Sequence, residues 1–261
     1  MDFHVVRSLS LIALAAFCSV TLAQNVKVTS LGSHAGELCN RDPATIFEDP
    51  SGVRILYDAG QSVTGADDPR LGRIDVVLLA HAHGDHIGDM KMKALEAGTC
   101  DNPQLVSAAP NSTTAEIAAA KNAALIMEIS GADNVSFTLG PPIGYVIRFT
   151  NGLVLYLTGD TGIHSDMQTV ARDYYKAHLV ELNFAPIALN PEGAAYAVNT
   201  LIQPASVIVS HVNEGATSGG KLKPNSRTAA FIALVKGRPV YPALSGKTME
   251  FEGAGKCVAG C

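Results

Sequence analysis

Beyond its first two dozen residues this 261-residue sequence has no apolar segment long enough to cross a bilayer as a helix, no repeat of fixed period and no low-complexity tract. Neither a helical membrane protein nor a solenoid is therefore expected. Basic charge is scarce as well: 19 Lys and Arg stand against 24 Asp and Glu, a formal net charge of −5. No stretch interleaves basic with aromatic residues, so a long nucleic-acid footprint is not expected either. The G-x-S-x-G pattern, which seats a serine nucleophile on a sharp strand-to-helix turn, is missing. Any hydrolysis should then use water as the nucleophile.

Residues 1–23 read as a secretory signal peptide. Arg7 precedes an apolar run over residues 9–20, and Thr21-Leu22-Ala23 offers a small residue for cleavage near Ala23. Phe17 before Cys18 is too bulky for lipoprotein processing. A periplasmic or secreted protein is expected, with residues 24–261 forming one large domain. That domain keeps Cys39, Cys100, Cys257 and Cys261. An even number of cysteines in an oxidising compartment, at spacings unlike those of zinc sites, points to disulfides, with Cys39–Cys100 and Cys257–Cys261 the favoured pairing.

Strands are expected over residues 26–31, 44–48 and 53–57, the last two joined by the turn Asp49-Pro50-Ser51-Gly52. The apolar run 74–80 reads as a buried strand, and 145–149 with 153–158 as a hairpin around Asn151-Gly152. Residues 178–184 and 206–210 complete the strands. Helices are expected over 89–97, over the Ala-rich stretch 113–129 behind the caps Asn111 and Ser112, and over 166–175, 191–201 and 227–235. Strands come first as a meander and later alternate with helices, an order satisfied by two sheets covered by helices.

The chemistry is concentrated in His81-Ala82-His83-Gly84-Asp85-His86, which holds three of the eight histidines at the end of the 74–80 strand. Side chains two apart in extended backbone point the same way, so His81 and His83 can converge on one ion. Gly84 allows a sharp turn, after which Asp85 and His86 leave in another direction, suited to a second ion. Imidazole with carboxylate is a ligand set that favours zinc, and manganese or iron would also suit it. Two later residues end apolar strands in the same manner, Asp160 within Thr158-Gly159-Asp160-Thr161-Gly162 and His211 after Ser206–Ser210. A carboxylate can bridge two cations, which a neutral imidazole cannot.

His-x-His-x-Asp-His after an apolar strand, then G-D-T-G, then a strand-terminal His resembles the metallo-β-lactamase superfamily of metal-dependent hydrolases; Asp58-Ala59-Gly60 fits it too. The likeness extends over nearly all of residues 24–261 and is greatest to the lactonase-like, UlaG-type branch. It implies an α/β (α+β) fold, a four-layer αββα sandwich, with one or two metal ions at one edge. By motif position His81 and His83 would hold the first ion and Asp85, His86 and His211 the second, with Asp160 bridging. Asp85 would be the catalytic residue, orienting the attacking water or accepting its proton, and the substrate a small ester, lactone or phosphoester. The family's third histidine, normally found between the cluster and G-D-T-G, has no counterpart: no histidine occurs from Ile87 to Gly159. His164 is the candidate substitute and His34 a candidate substrate contact, whereas His178 begins a core strand and reads as structural. Two alternatives follow from that gap and from the shared site chemistry, a catalytically impaired metal-binding relative and a phosphodiesterase or nuclease.

Overall fold

The strands at residues 154–157, 179–183 and 206–210 are buried on both faces, which requires stacked layers rather than one half-wet sheet. The computed structural model describes residues 24–107, 113–126 and 142–261; the expected signal peptide, the caps Asn111 and Ser112 and the last residues of the 113–129 segment lie outside them. The first sheet begins as a meander, β1 (Val26–Ser30), β2 (Thr45–Glu48) and β3 (Arg54–Tyr57), all antiparallel, followed by β4 (Val76–Leu78) parallel to β3. A separate ribbon pairs β5 (Met90–Met92) with β6 (Leu105–Ser107), and β7 (Ala124–Ile126) returns to the free edge of β4. The second sheet opens with the hairpin β8 (Tyr145–Arg148) and β9 (Val154–Leu157), where Gly152 supplies the positive φ of 91° that the turn requires. Parallel strands β10 (Leu179–Asn183) and β11 (Ser206–Ser210) extend it. A small hairpin of β12 (Thr217–Ser218) and β13 (Lys221–Leu222) leads to β14 (Val240–Pro242), which is parallel to β11. Finally β15 (Thr248–Phe251) and β16 (Cys257–Ala259) return to the first sheet beside β1. The orders are β16-β15-β1-β2-β3-β4-β7 and β14-β11-β10-β9-β8.

The expected αββα layering is what these sheets form. Val28, Phe47, Tyr57 and Leu78 of the first sheet share one core with Leu155, Leu157, Val180 and Val207 of the second. The opposite face of the first sheet, with Ile46, Leu56 and Val77, packs against Ile117 and Ala118 of the helix Thr113–Lys121. Helix Met167–Tyr174, the continuous pair Pro191–Tyr196 and Ala197–Ile202, and helix Arg227–Leu234 bring Met167, Ala171, Ala194, Val198 and Phe231 into the core beside the second sheet. Asn190 and Ser226 cap two of these helices through their side chains.

Two expected helices are corrected. Residues 89–97 form β5 and a turn, because Met92 N–H donates to Gln61 O at 2.8 Å and Lys93 N–H to Gln104 O at 2.9 Å, fixing extended pairing. The Ala-rich segment is helical only to Lys121. Asn122 turns left-handed at φ 50°, and Ala124 N–H then donates to Asp75 O while Ile126 O accepts Leu79 N–H. The open edge of β4 thus overrides alanine's helix propensity. The cysteines pair as expected, Cys39 with Cys100 and Cys257 with Cys261, at Cα separations of 4.7 and 6.4 Å.

One carboxyl lies between the sheets. Glu181 is fully buried, accepts Thr45 Oγ1–H at 2.8 Å and leaves Oε2 without a partner; burial pushes its pKa from 4.5 up to about 7. The unfolded chain ionises first as pH rises, so folding loses free energy between those two values and no more above them, about 3 kcal/mol in all. Glu181→Gln removes this term, so its stability relative to the wild type should rise from pH 4 to pH 8. Parallel denaturant melts at the two pH values check this; a constant difference would contradict it.

Candidate metal centre

Parallel pairing brings strand ends to a common edge. Leu157, Glu181 and Ile208 are aligned across β9, β10 and β11, so Asp160, Asn183 and His211 emerge side by side just beyond. From the other sheet, Tyr57 is aligned with Leu78, which delivers Asp58 and the His81–His86 segment to the same edge. Gly84–Ile87 forms a single helical turn, and Gly88, at φ 70°, ends it.

The side chains brought together are those the sequence singled out. The ligand atoms of His81, His86 and Asp160 lie within 4.8 Å of one another, as do those of Asp85, His86 and His211. His81 Nε2 is 2.7 Å from His83 Nδ1. Asp160 Oδ2 is 3.4 Å from His86 Nε2 and 3.2 Å from His211 Nε2. His86 therefore touches both groups rather than the second alone, and Asp160 sits between its two neighbours as a bridging carboxylate would. His164 stands apart, with Nε2 3.4 Å from Tyr156 Oη, and belongs to neither group. His34 lies beside Ser33 Oγ at 3.0 Å and does not line the cleft. His178 is structural: its Nδ1 accepts Val154 N–H and its carbonyl accepts Ala205 N–H.

Two supporting residues carried no assigned role in the sequence. Asp58, wholly buried, places Oδ2 2.7 Å from His86 Nδ1 while Oδ1 accepts Ala80 N–H at 2.8 Å. A carboxylate there holds a proton on Nδ1 and aims Nε2 at the cluster, where a cation would take the place of the second proton. Asn183 Nδ2 donates to Asp160 Oδ1 at 3.2 Å, leaving Oδ2 for the histidines. Asp58-Ala59-Gly60 at a strand end was a signal for the first; nothing in the sequence marks Asn183.

The electrostatics fit a cation. Burial, with the charge of His86 adding to it, lowers the His81 pKa to about 4, so that imidazole is neutral and offers a lone pair. Burial would lower His86 too, but Asp58 and Asp160 on its two sides outweigh it and push it up to about 10. Burial raises Asp160, yet the close approach and charge of His211 and His86 prevail and hold it well below the usual carboxylate range. His211 is fully buried with neither ring nitrogen hydrogen-bonded; its Nε2 is close to Asp160 and, at 3.5 Å, to Asp85, but not at hydrogen-bond angles. His81 Nδ1 is likewise orphaned. Buried imidazole nitrogens without partners are costly, and a divalent ion among them supplies the missing partner. A proton and such an ion compete for the same positions, so affinity for the ion falls with pH.

Beside this cluster opens a cleft of about 600 Å³ whose lining includes His83, Asp85, Arg41, Gln61 and Asn213. Four non-glycine residues around the edge are left-handed, Arg41, Asp58, His211 and Asn213, at φ 64°, 44°, 48° and 51°. Such backbone is uncommon and concentrates at functional sites.

The chain is similar to known proteins. Residues 42–211 match the family model described as Beta-lactamase superfamily domain. The chain is 29% identical over 243 residues to a UPF0173 metal-dependent hydrolase of Polynucleobacter asymbioticus, covering 77% of this chain and 81% of that one. A second UPF0173 metal-dependent hydrolase, from Polaromonas, is 30% identical over 69% of this chain and 74% of its own length. Among solved structures, Igni18, a metallo hydrolase from Ignicoccus hospitalis, superposes with a TM-score of 0.56 at 22% identity, covering 87% of this chain and 99% of that one.

Asp58→Asn would present an amide N–H to His86 Nδ1 and move the imidazole proton to Nε2, where it blocks the ligand atom. Metal affinity should fall about 10- to 100-fold, with His164→Ala unchanged as a control. Competition of each purified protein against a chromogenic chelator measures this.

Proposed function

Since the chain belongs to the metallo-β-lactamase superfamily of metal-dependent hydrolases, we propose that it hydrolyses a small ester, lactone or phosphoester with zinc as its metal. The observation that carries this reading is the convergence of four histidines and two aspartates on one sheet edge beside an open cleft. His81, His83, His86 and His211 with Asp85 and Asp160 would hold one or two ions. Divalent ions bound there would lower the pKa of water from 15.7 to about 7 and polarise the oxygen of the scissile group. Nitrogen and carboxylate ligands without thiolate suit zinc, and manganese or iron by the same chemistry.

The chain's own groups divide the remaining work. Asp85 is partly exposed, lines the cleft and faces His211, so its carboxylate can orient the attacking water and take up its proton. Asn183 fixes Asp160, and Asp58 fixes His86, so neither ligand reorganises during turnover. The cleft volume suits a small molecule. Among the described residues no helix is long and apolar enough to cross a membrane.

Metal-loaded protein screened on ester, lactone, phosphodiester and β-lactam substrates tests the reading. Chelation should abolish turnover and added zinc restore it. Asp85→Ala should lower kcat by at least about 100-fold while leaving the thermal transition in place, because the side chain lies on the cleft rather than in the core. A folded Asp85→Ala protein with wild-type turnover would remove this aspartate from the mechanism. We also propose that the protein is exported and cleaved near Ala23. The signal-like pattern of residues 1–23 and the paired cysteines support this. Protein recovered from the periplasm or medium should begin at or near Gln24; intact Met1 on cytosolic protein would refute export.

A further inference from the structure

Beside the metal-type side chains, the cleft lining also holds a cation. Among the described residues Arg41 is the only arginine in its lining, and no lysine lines it. The guanidinium makes one long hydrogen bond, from Nη1 to Gln61 Oε1 at 3.4 Å, and among the described residues no carboxylate pairs with it. Arg54, Arg70, Arg73 and Arg172, by contrast, all form ion pairs.

The backbone is built to present this side chain. Arg41 is held left-handed at φ 64° by anchors on both sides. Before it, Cys39 is bonded to Cys100, Asn40 N–H donates to Cys100 O at 3.0 Å, and Asn40 Nδ2 donates to Asp101 O at 3.0 Å. After it, Asp42 is buried and accepts both Ser33 N–H and Ser33 Oγ–H at 3.0 Å. Gln61, only 1% exposed, lines the cleft beneath the guanidinium, and Asn213, also left-handed, contributes an Oδ1 that is buried without a partner. Strained backbone with an unpaired cation and unsatisfied amide oxygen suits a site completed by a ligand.

We propose that Arg41, seated by Gln61, reads a pendant oxyanion on the substrate, a carboxylate or phosphate separate from the bond that is cleaved. A planar guanidinium with free N–H groups is the side chain best matched to such a group. The proposal rests on the hydrolase reading above and narrows its substrate class: an ester or lactone that carries a negative charge besides the group that is cleaved. Asp85 and Asp89 also line the cleft, so an anion unanswered by Arg41 would be repelled, and selectivity follows from that contrast.

Dimethyl glutarate and monomethyl glutarate differ only in a free carboxylate and serve as matched probes for the metal-loaded protein. Arg41→Gln should raise KM for the monoester about 10- to 100-fold with kcat nearly unchanged, and leave the diester unaffected. Arg41→Lys should fall between. Equal losses on both esters would show a merely structural role and overturn the proposal. If the wild type cleaves neither ester, the hydrolase reading fails for esters, and glutarate titrated into metal-free wild-type protein decides the anion question separately. The Arg41 Nε–Hε resonance, assigned by its disappearance in Arg41→Gln, should then shift saturably with glutarate and not with dimethyl glutarate. An unmoved resonance would overturn the proposal.

Discussion

Asp160 is the group on which the rest of the site depends. Its Oδ2 lies between the Nε2 atoms of His86 and His211, and its Oδ1 is held by Asn183. Those partners come from three separate segments, so the carboxylate ties together both sheets at one edge. Four imidazoles and two carboxylates at such short range cannot all be satisfied by hydrogen bonds, as the orphaned nitrogens of His81 and His211 show. The cluster is an electrostatic problem whose solution is a cation. Asp58 fixes the orientation of the His86 ring, and burial keeps His81 neutral, with a lone pair to offer.

The fold makes this clustering possible because parallel strands end together. β9, β10 and β11 run the same way in aligned register, and each brings a polar residue to the cluster at or just beyond its end. β3 and β4 do the same in the facing sheet. A core shared by Val28, Phe47 and Tyr57 with Leu155, Val180 and Val207 fixes the distance between those two edges. The clustered side chains therefore sit at strand ends and on the short turns that follow them, anchored to rigid strands.

How much of this could be read in the sequence depends on sequence separation. His81, His83, Asp85 and His86 are contiguous and follow an apolar strand, so local geometry alone predicts their convergence. Asp160 and His211 were legible because each ends its own apolar run, and the shared edge follows from strands laid side by side. The pairing of His86 with Asp58 spans 28 residues and that of Asn183 with Asp160 spans 23. Both depend on register between strands, and no local pattern encodes register. The same reason explains the misread helices. Residues 124–126 have helix-favouring alanine upstream, and only the vacant edge of β4 makes them a strand. Met90–Met92 likewise became extended only through a partner fifteen residues later.

Positive φ at Arg41, Asp58, His211 and Asn213 is unfavourable in each case, and all four lie at the same edge. Such strain persists only where surrounding structure over-determines it. Around Arg41 the over-determination is visible in the Cys39–Cys100 bond, which closes a 61-residue loop, and in the buried Asp42. Asp101, next to that disulfide, accepts Gly215 N–H and pairs with Lys223, carrying the same restraint to the loop after His211. One covalent link thus braces both walls of the cleft, the one that presents Arg41 and the one that presents Asn213. A cleft braced in this way should bind without reordering its walls, which is the condition under which a few well-placed polar groups discriminate between substrates.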